Sequence, residues 1–127
     1  MPKKLLAPAM AAALAIVGCV SYHTPPDDRR VTVSPDLGAA VWVTDVRLAN
    51  GASTHCTLQA NVANNTDDVV PVEYRVVWLD GSGMEIPRVV STWQFKSAAP
   101  REVFALTATA PSPAAADFRL YVQPARR

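Results

Sequence analysis

The stretch that most constrains the fold of this chain is residues 73–86. Its first half is rich in aromatic and β-branched residues, Asp-Gly-Ser-Gly follows at 80–83, and a second apolar run begins directly afterwards. This order predicts a β-hairpin with a tight turn. Since side chains alternate between the two faces of a strand, one face of the first strand is expected to cover a core. The residues of that face are Val72, Tyr74, Val76 and Trp78, and those opposite are Glu73 and Arg75.

Alternating apolar runs separated by turn-forming residues recur along the rest of the chain at roughly ten-residue spacing. No helical pattern follows the first 18 residues. The pattern predicts an all-β domain over residues 31–127, an immunoglobulin-like antiparallel β-sandwich of about seven strands, with a partly open barrel as the alternative. The expected strands are 31–34, 40–49, 55–63, 69–80, a brief return at 84–86, 91–96, 102–110 and 118–123.

Large aromatic side chains are expected to supply most of the buried apolar area in a domain of this size. In the strand at 40–49, Trp42, Val46 and Leu48 are expected to share one face. In the strand at 91–96, Trp93 and Phe95 are expected to share one face. The aromatic residues expected in the core are Tyr74, Trp78, Trp93, Phe104 and Phe118.

The first 18 residues have the anatomy of a secretory signal. Lys3 and Lys4 precede a short apolar segment, 5–17, that ends next to Cys19. The segment is shorter than the roughly 20 residues that a spanning helix needs. This anatomy resembles a bacterial lipoprotein signal with its lipobox, in which Cys19 carries lipid on sulfur and becomes the new amino terminus. Residues 19–30 are polar and proline-bearing and are expected to form a flexible tether with a reach of only ~35 Å.

The resemblance to lipoproteins also implies a cellular location. Val20 follows the lipidated cysteine in place of the aspartate that retains many such proteins in the inner membrane. We therefore expect the protein on the periplasmic face of the bacterial outer membrane. With Cys19 lipidated, Cys56 has no intramolecular partner, and its place in an alternating strand predicts a small buried side chain. An intermolecular disulfide is the alternative, because the periplasm is oxidising.

Charge and composition argue against several functional classes. The chain has a formal net charge of +1, and removal of residues 1–18 leaves 10 of the 12 basic residues against 11 acidic ones. The sequence has no run of basic residues of the kind that binds a nucleic acid. His55 and Cys56 are neighbours on one strand and face opposite sides, which is a poor arrangement for one metal ion. We expect no catalytic residues, no metal and no cofactor; a metal-handling or hydrolytic site near His55 is the alternative.

Three stretches and the lipobox resemble the YcfL-like family of small bacterial lipoproteins, whose domain has no assigned function. The resemblance covers residues 31–123 and implies an immunoglobulin-like β-sandwich at the cell envelope. It supplies no catalytic residues. The matching stretches are 62–67, 73–80 with Gly83, and 110–114 running on to 118–122.

These observations predict a lipid-anchored, non-enzymatic envelope protein whose β-sandwich binds a protein or glycan partner. Exposed apolar residues on edge strands are the best candidates for such contacts. The residues that we select for partner binding are Trp42, Trp93 and Tyr121, with a position in the core as the alternative for each.

The lipid anchor leads to a first prediction. Several acyl chains, each contributing about 0.8 kcal/mol per buried CH₂, anchor a protein stably. Cys19→Ala should abolish labelling with a palmitate analogue and release the protein from the membrane fraction. A Cys19→Ala protein that still sediments with membranes would contradict the anchor.

Overall fold

The computed structural model describes residues 28–50, 55–87 and 91–126. The expected signal at 1–18 and most of the expected tether at 19–30 lie outside this part of the chain. Among the described residues, no helix is long and apolar enough to cross a membrane. The elements in order are β1 (Val31–Val33), a short 3₁₀ helix (Gly38–Ala40), β2 (Val41–Asn50), β3 (Cys56–Asn64), β4 (Val70–Leu79), β5 (Gln94–Ala98), β6 (Val103–Thr109) and β7 (Asp117–Pro124).

The seven strands form two separate sheets, so the predicted all-β sandwich is confirmed and the barrel alternative is wrong. The four-stranded sheet has the order β1-β7-β4-β5, and the three-stranded sheet has the order β2-β3-β6. Every pairing is antiparallel except that of β1 with β7, which is parallel. The chain therefore enters the fold along one edge of the four-stranded sheet.

The inner face of the four-stranded sheet is built by β4 and its neighbour β7. Trp78 on β4 is 5 % exposed and Phe118 on β7 is fully buried. Their rings meet edge to face, with centroids 6.4 Å apart and an interplanar angle of 64°. Tyr74 and Val76 are partly buried against the same core. The predicted core face of β4 is thus confirmed.

The three-stranded sheet contributes the second half of the core, mainly through β3. The predicted alternation in β3 is confirmed, since Cys56, Leu58, Ala60 and Val62 are all buried. The Cys56 thiol donates hydrogen bonds to Asn50 Oδ1 at 2.9 Å and to the Ala115 carbonyl at 3.1 Å. The interpretation of Cys56 as a small buried side chain is therefore confirmed.

Strand β2 departs from the predicted alternation at a β-bulge. The register with β3 shifts between Thr44 and Arg47, and Asp45 has a positive φ of 52°. An extra residue in a strand reverses the face of everything beyond it. Val41 and Val43 are buried before the bulge, and Val46 and Leu48 pack on the core after it. The prediction that Trp42 shares a face with Val46 and Leu48 is therefore wrong.

The turn of the predicted hairpin is confirmed, but its returning strand is not. Asp80 Oδ1 accepts hydrogen bonds from the Ser82 amide at 2.9 Å, the Ser82 hydroxyl at 2.6 Å and the Met84 amide at 3.1 Å. Gly83 supplies the positive φ of 86° that the turn requires. Beyond it, residues 84–86 form only an isolated bridge between Leu79 and Glu85. Pro87 follows at once and has no N–H with which to continue a ladder.

Asn64, at the end of β3, joins two loops from inside the protein. It is 2 % exposed. Its side-chain amide donates to the carbonyls of Asp68 at 2.8 Å, Ala98 at 3.2 Å and Ala99 at 2.9 Å. Its Oδ1 accepts from the Thr66 amide at 2.9 Å and the Thr66 hydroxyl at 2.7 Å. This side chain links the loop after β3 to the connection between β5 and β6.

The core assignment predicts a large difference between two phenylalanines. Phe118→Ala should lower the free energy of unfolding by about 3–5 kcal/mol, because it leaves a cavity in the core. Phe95→Ala is the matched control, since Phe95 is 67 % exposed and its removal leaves no cavity. Urea denaturation of both variants measures the difference. Equal losses of stability would contradict the assignment of the core.

The hydrogen bonds of Asn64 predict a second difference, between neighbouring asparagines. Asn64→Ala should lower the free energy of unfolding by about 1–3 kcal/mol, because buried carbonyls lose their donors. Asn65→Ala should change it by less than about 1 kcal/mol, since its amide makes a single exposed hydrogen bond of 3.4 Å to Ala39. Thermal or urea denaturation of both variants measures the difference. An Asn64→Ala variant with an unchanged free energy of unfolding would be inconsistent with the linking role of Asn64.

Candidate functional site

A row of side chains crosses the outer face of the four-stranded sheet, on the side away from the core. The register places Thr32 on β1 beside Tyr121 on β7, and Tyr121 beside Arg75 on β4. Trp93, just before β5, completes the row against Arg75. The structure therefore brings together two of the three residues predicted for partner binding, Trp93 and Tyr121.

Arg75 lies between the two rings. Its guanidinium carbon is 5.0 Å from the centroid of Trp93 and 5.4 Å from that of Tyr121, within the range of cation–π attraction. We call these three residues the Arg75 cluster. The alternation of β4 predicts Arg75 on this face but assigns it no role. The only sequence feature that points to such a role is the presence of an arginine within an apolar strand.

The position of Trp93 differs from the prediction that it lies in the core. Trp93 and Phe95 share a face, as predicted, but Phe95 pairs with Glu73, whose side chain faces outward. Trp93 is accordingly 38 % exposed, so its assignment to the core is wrong. The cause is the face on which these residues fall. In β5 the residue beside the inward-facing Val72 is Lys96, so Phe95, and Trp93 two residues before it, face away from the core.

The outer face continues beside the Arg75 cluster as an exposed apolar surface. Glu73 accepts a hydrogen bond from Gln123, and Phe95 next to it is 67 % exposed. Val69 is 58 % exposed. A cavity of about 430 Å³ lies here, lined by Val69, Pro71, Phe95, Ser97, Ala125 and Arg126. Contiguous exposed apolar surface of this kind is typical of interaction sites.

Trp42 lies elsewhere. It is on the outer face of the three-stranded sheet, where the register places it beside Ala63 and Ala63 beside Val103. Val103 is 60 % exposed and Trp42 is half-buried. The structure therefore does not bring Trp42 together with Trp93 and Tyr121, and the three predicted contact residues belong to two faces of the domain.

A separate cleft opens at one edge of the sandwich. Strand β5 pairs with β4 only from Val70 to Tyr74, so the inner side chains farther along β4 are reachable between β4 and β6. The cleft has a volume of about 340 Å³, and none of the described residues that line it is charged. Its lining residues are Tyr74, Val76, Trp78, Ser91, Thr92, Gln94, Thr107, Ala108, Thr109 and Pro111.

His55 and Cys56 are not among the described residues that line these cavities. The His55 Nδ1 atom is 2.8 Å from the Ala110 carbonyl oxygen, whereas the Cys56 thiol points into the core. In the described part of the chain, no group of three or more His, Cys, Asp or Glu residues could hold a metal ion. The alternative site near His55 stays a prediction.

The point at which the chain enters the fold is held by an ion pair. Arg30 Nη2 lies 2.9 Å from Asp28 Oδ2. The hydrogen bond from the Arg30 side chain lowers the pKa of the Asp28 carboxyl below its ordinary value. The Arg30 guanidinium also covers the Phe118 ring, with its carbon 4.8 Å from the centroid. The segment before β1 is therefore fastened to the four-stranded sheet.

Comparison with known families assigns the domain. Residues 28–124 match the family model described as a protein of unknown function, DUF1425. The chain belongs to the DUF1425 family. All seven strands and the Arg75 cluster lie within the matched residues. No curated protein matches the chain.

Solved structures share the fold. Campylobacter jejuni cj0090 superposes with a TM-score of 0.65 at 21 % identity, over 77 % of this chain and 100 % of that one. A DUF1425 family member from Shewanella sp. pv-4 gives a TM-score of 0.61 at 20 % identity, over 68 % of this chain and 80 % of that one. At these identities the comparisons establish the sandwich and carry nothing about ligands.

Proposed function

We propose that this DUF1425 member is YcfL-like, a lipoprotein anchored through Cys19 in the bacterial outer membrane and facing the periplasm. Its β-sandwich binds an envelope protein or glycan without catalysing a reaction. The outer face of the four-stranded sheet is the binding surface. The observation that carries this proposal is the Arg75 cluster beside the exposed apolar side chains of that face.

The composition of this surface supports a binding role. Tryptophan, tyrosine and arginine are the residues most enriched among those that dominate binding energy at interfaces. Here one of each is in contact. Their neighbour Phe95 is 67 % exposed, and burying such a ring contributes several kcal/mol at ~25 cal/mol per Å². A partner that covers this face gains that burial.

The position of the chain entry also fits an anchored protein. Strand β1 lies at the edge of the four-stranded sheet, and Thr32 on β1 belongs to the row that contains the Arg75 cluster. A tether of residues 19–30 has a reach of ~35 Å. The proposed surface therefore remains close to the membrane, where it meets other envelope components.

Site-directed photocrosslinking tests this function. p-Benzoylphenylalanine at Phe95 of the lipidated protein, in cells of the native host, should give a discrete adduct. The same probe at Ala105, exposed on the outer face of the three-stranded sheet, is the control and should give none. Trp93→Ala combined with the Phe95 probe should reduce the adduct at least about tenfold, as expected for a residue that dominates binding.

The opposite pattern would contradict the proposal. Equal adducts from Phe95 and Ala105 would show nonspecific contact, and no adduct from Phe95 would show that the face is not occupied. An adduct that persists in Trp93→Ala would exclude the Arg75 cluster from the contact.

A further inference from the structure

Arg75 is the one half-buried arginine without an ion pair among the residues that the structure describes. Arg30, Arg101 and Arg119 each lie within 4.0 Å of an aspartate oxygen. Arg29, Arg47 and Arg126 are exposed to solvent. Arg75 differs from both groups, since it is half-buried, its Nε is buried, and it forms no ion pair with a described residue.

Among the described residues, no carboxylate oxygen lies within 4.0 Å of the Arg75 nitrogens. Glu73, two positions away on the same face, accepts a hydrogen bond from Gln123. The Arg75 Nε is buried and has no hydrogen-bond partner. Removing a charged donor from water without a partner costs free energy that a well-placed anion restores. The Arg75 Nε–H therefore lacks a hydrogen-bond acceptor among the described residues.

A cavity of about 260 Å³ borders Arg75. Thr32, Ser34, Tyr121 and Gln123 line it together with Arg75 and provide neutral hydrogen-bonding groups. Among the described residues, Arg75 is the only charged one that lines this cavity. The two rings hold the guanidinium in position, which reduces the side-chain entropy lost when an anion binds.

The charge and shape of the site select the anion. One guanidinium and neutral donors match a single negative charge, and a carboxylate accepts two parallel hydrogen bonds from the planar fork. A phosphate monoester carries about −1.5 to −2 at neutral pH and would leave charge uncompensated. The cavity is therefore better matched to a carboxylate.

We propose that Arg75 is the anchor of a carboxylate-binding site, and that the partner of this face presents a free carboxylate to it. The proposal rests on the proposed function for the source of the ligand, which is a peptide C terminus or a sugar acid. The guanidinium binds the carboxylate, and the hydroxyls of Thr32 and Ser34, which line the same cavity, complete the site.

Titrations of the full-length lipidated protein in detergent micelles test the site. The probes are acetyl-alanyl-alanine and its C-terminal amide, galacturonate and galactose, and inorganic phosphate. NMR signals of the Trp93 indole N–H and the Arg75 Nε–H report binding. We expect a saturable shift with at least one of the two carboxylates and none with the matching amide or galactose. The carboxylate with the higher affinity identifies the source.

Matched arginine variants complete the test. Arg75→Gln should weaken carboxylate binding at least about tenfold. Arg47→Gln, on the outer face of the other sheet, should leave it unchanged, since Asp45 already lies in the cavity beside Arg47. The acid and amide comparison on the unaltered protein keeps the test valid if Arg75→Gln is unstable.

Four results would overturn the proposal: no saturable shift with either carboxylate, equal shifts with acid and amide, unchanged affinity in Arg75→Gln, or tighter binding of phosphate than of both carboxylates. The crosslink at Phe95 is a separate measurement. If that crosslink forms while carboxylates fail to bind, this inference alone falls; if carboxylates bind and Phe95 captures nothing, the proposed function falls.

Discussion

The edge-to-face contact between Trp78 and Phe118 is the interaction on which the rest of this structure depends. It joins the two central strands of the four-stranded sheet on their inner side, at a pair of residues that lie opposite each other in the β4–β7 register. Aromatic pairs of this geometry add about 0.5–1.5 kcal/mol to the burial of their area. Because the contact fixes the pairing of β4 with β7, it also fixes the outer side of both strands.

The alternation of β4 therefore couples stability to binding. Trp78 faces inward and holds the core, while Arg75, three residues earlier, faces outward between Trp93 and Tyr121. A slip of one residue in the β4–β7 register would exchange these two faces. The same register that buries the core thus brings Arg75 beside Tyr121, and the proposed surface needs no rearrangement before a partner binds.

The β5 edge of the sandwich has two parts that differ in how the core is covered. Near the connection from β5 to β6, the Lys96 ammonium lies 3.3 Å from Glu102 and 5.2 Å from the centroid of the Phe104 ring, so a charged side chain covers the core. Inward-pointing charges at an edge strand discourage pairing with other chains. Farther along β4, beyond Tyr74, β5 no longer pairs and the cleft is open. The protein therefore protects one part of this edge and exposes the other.

Periodicity predicted most of the fold because most strands here alternate without interruption. The core faces of β3, β4 and β7 follow directly from the sequence, since each strand pairs without a register shift with a neighbour over most of its length. The bulge at Asp45 was not predicted because it adds no apolar residue of its own. It only changes which alternate residues of β2 face the core. Trp93 escaped it because alternation groups residues by face without saying which face is inner.

The candidate site was only partly readable for similar reasons. Trp93 and Tyr121 are recognisable as candidate contact residues by type, but their meeting with Arg75 depends on pairings between segments far apart in the chain. The role of Asn64 was equally hidden. In the sequence it is one turn-forming residue among several, and only the packing of two loops around it shows that it is buried.

Native-state hydrogen exchange tests the central claim most directly, namely that the binding face is carried by the most stable part of the protein. The amides that join β4 and β7 should exchange only through global unfolding, with an exchange free energy equal to the unfolding free energy from urea denaturation. Exchange of these amides through local opening, at a free energy well below that of global unfolding, would contradict a rigid, preformed surface.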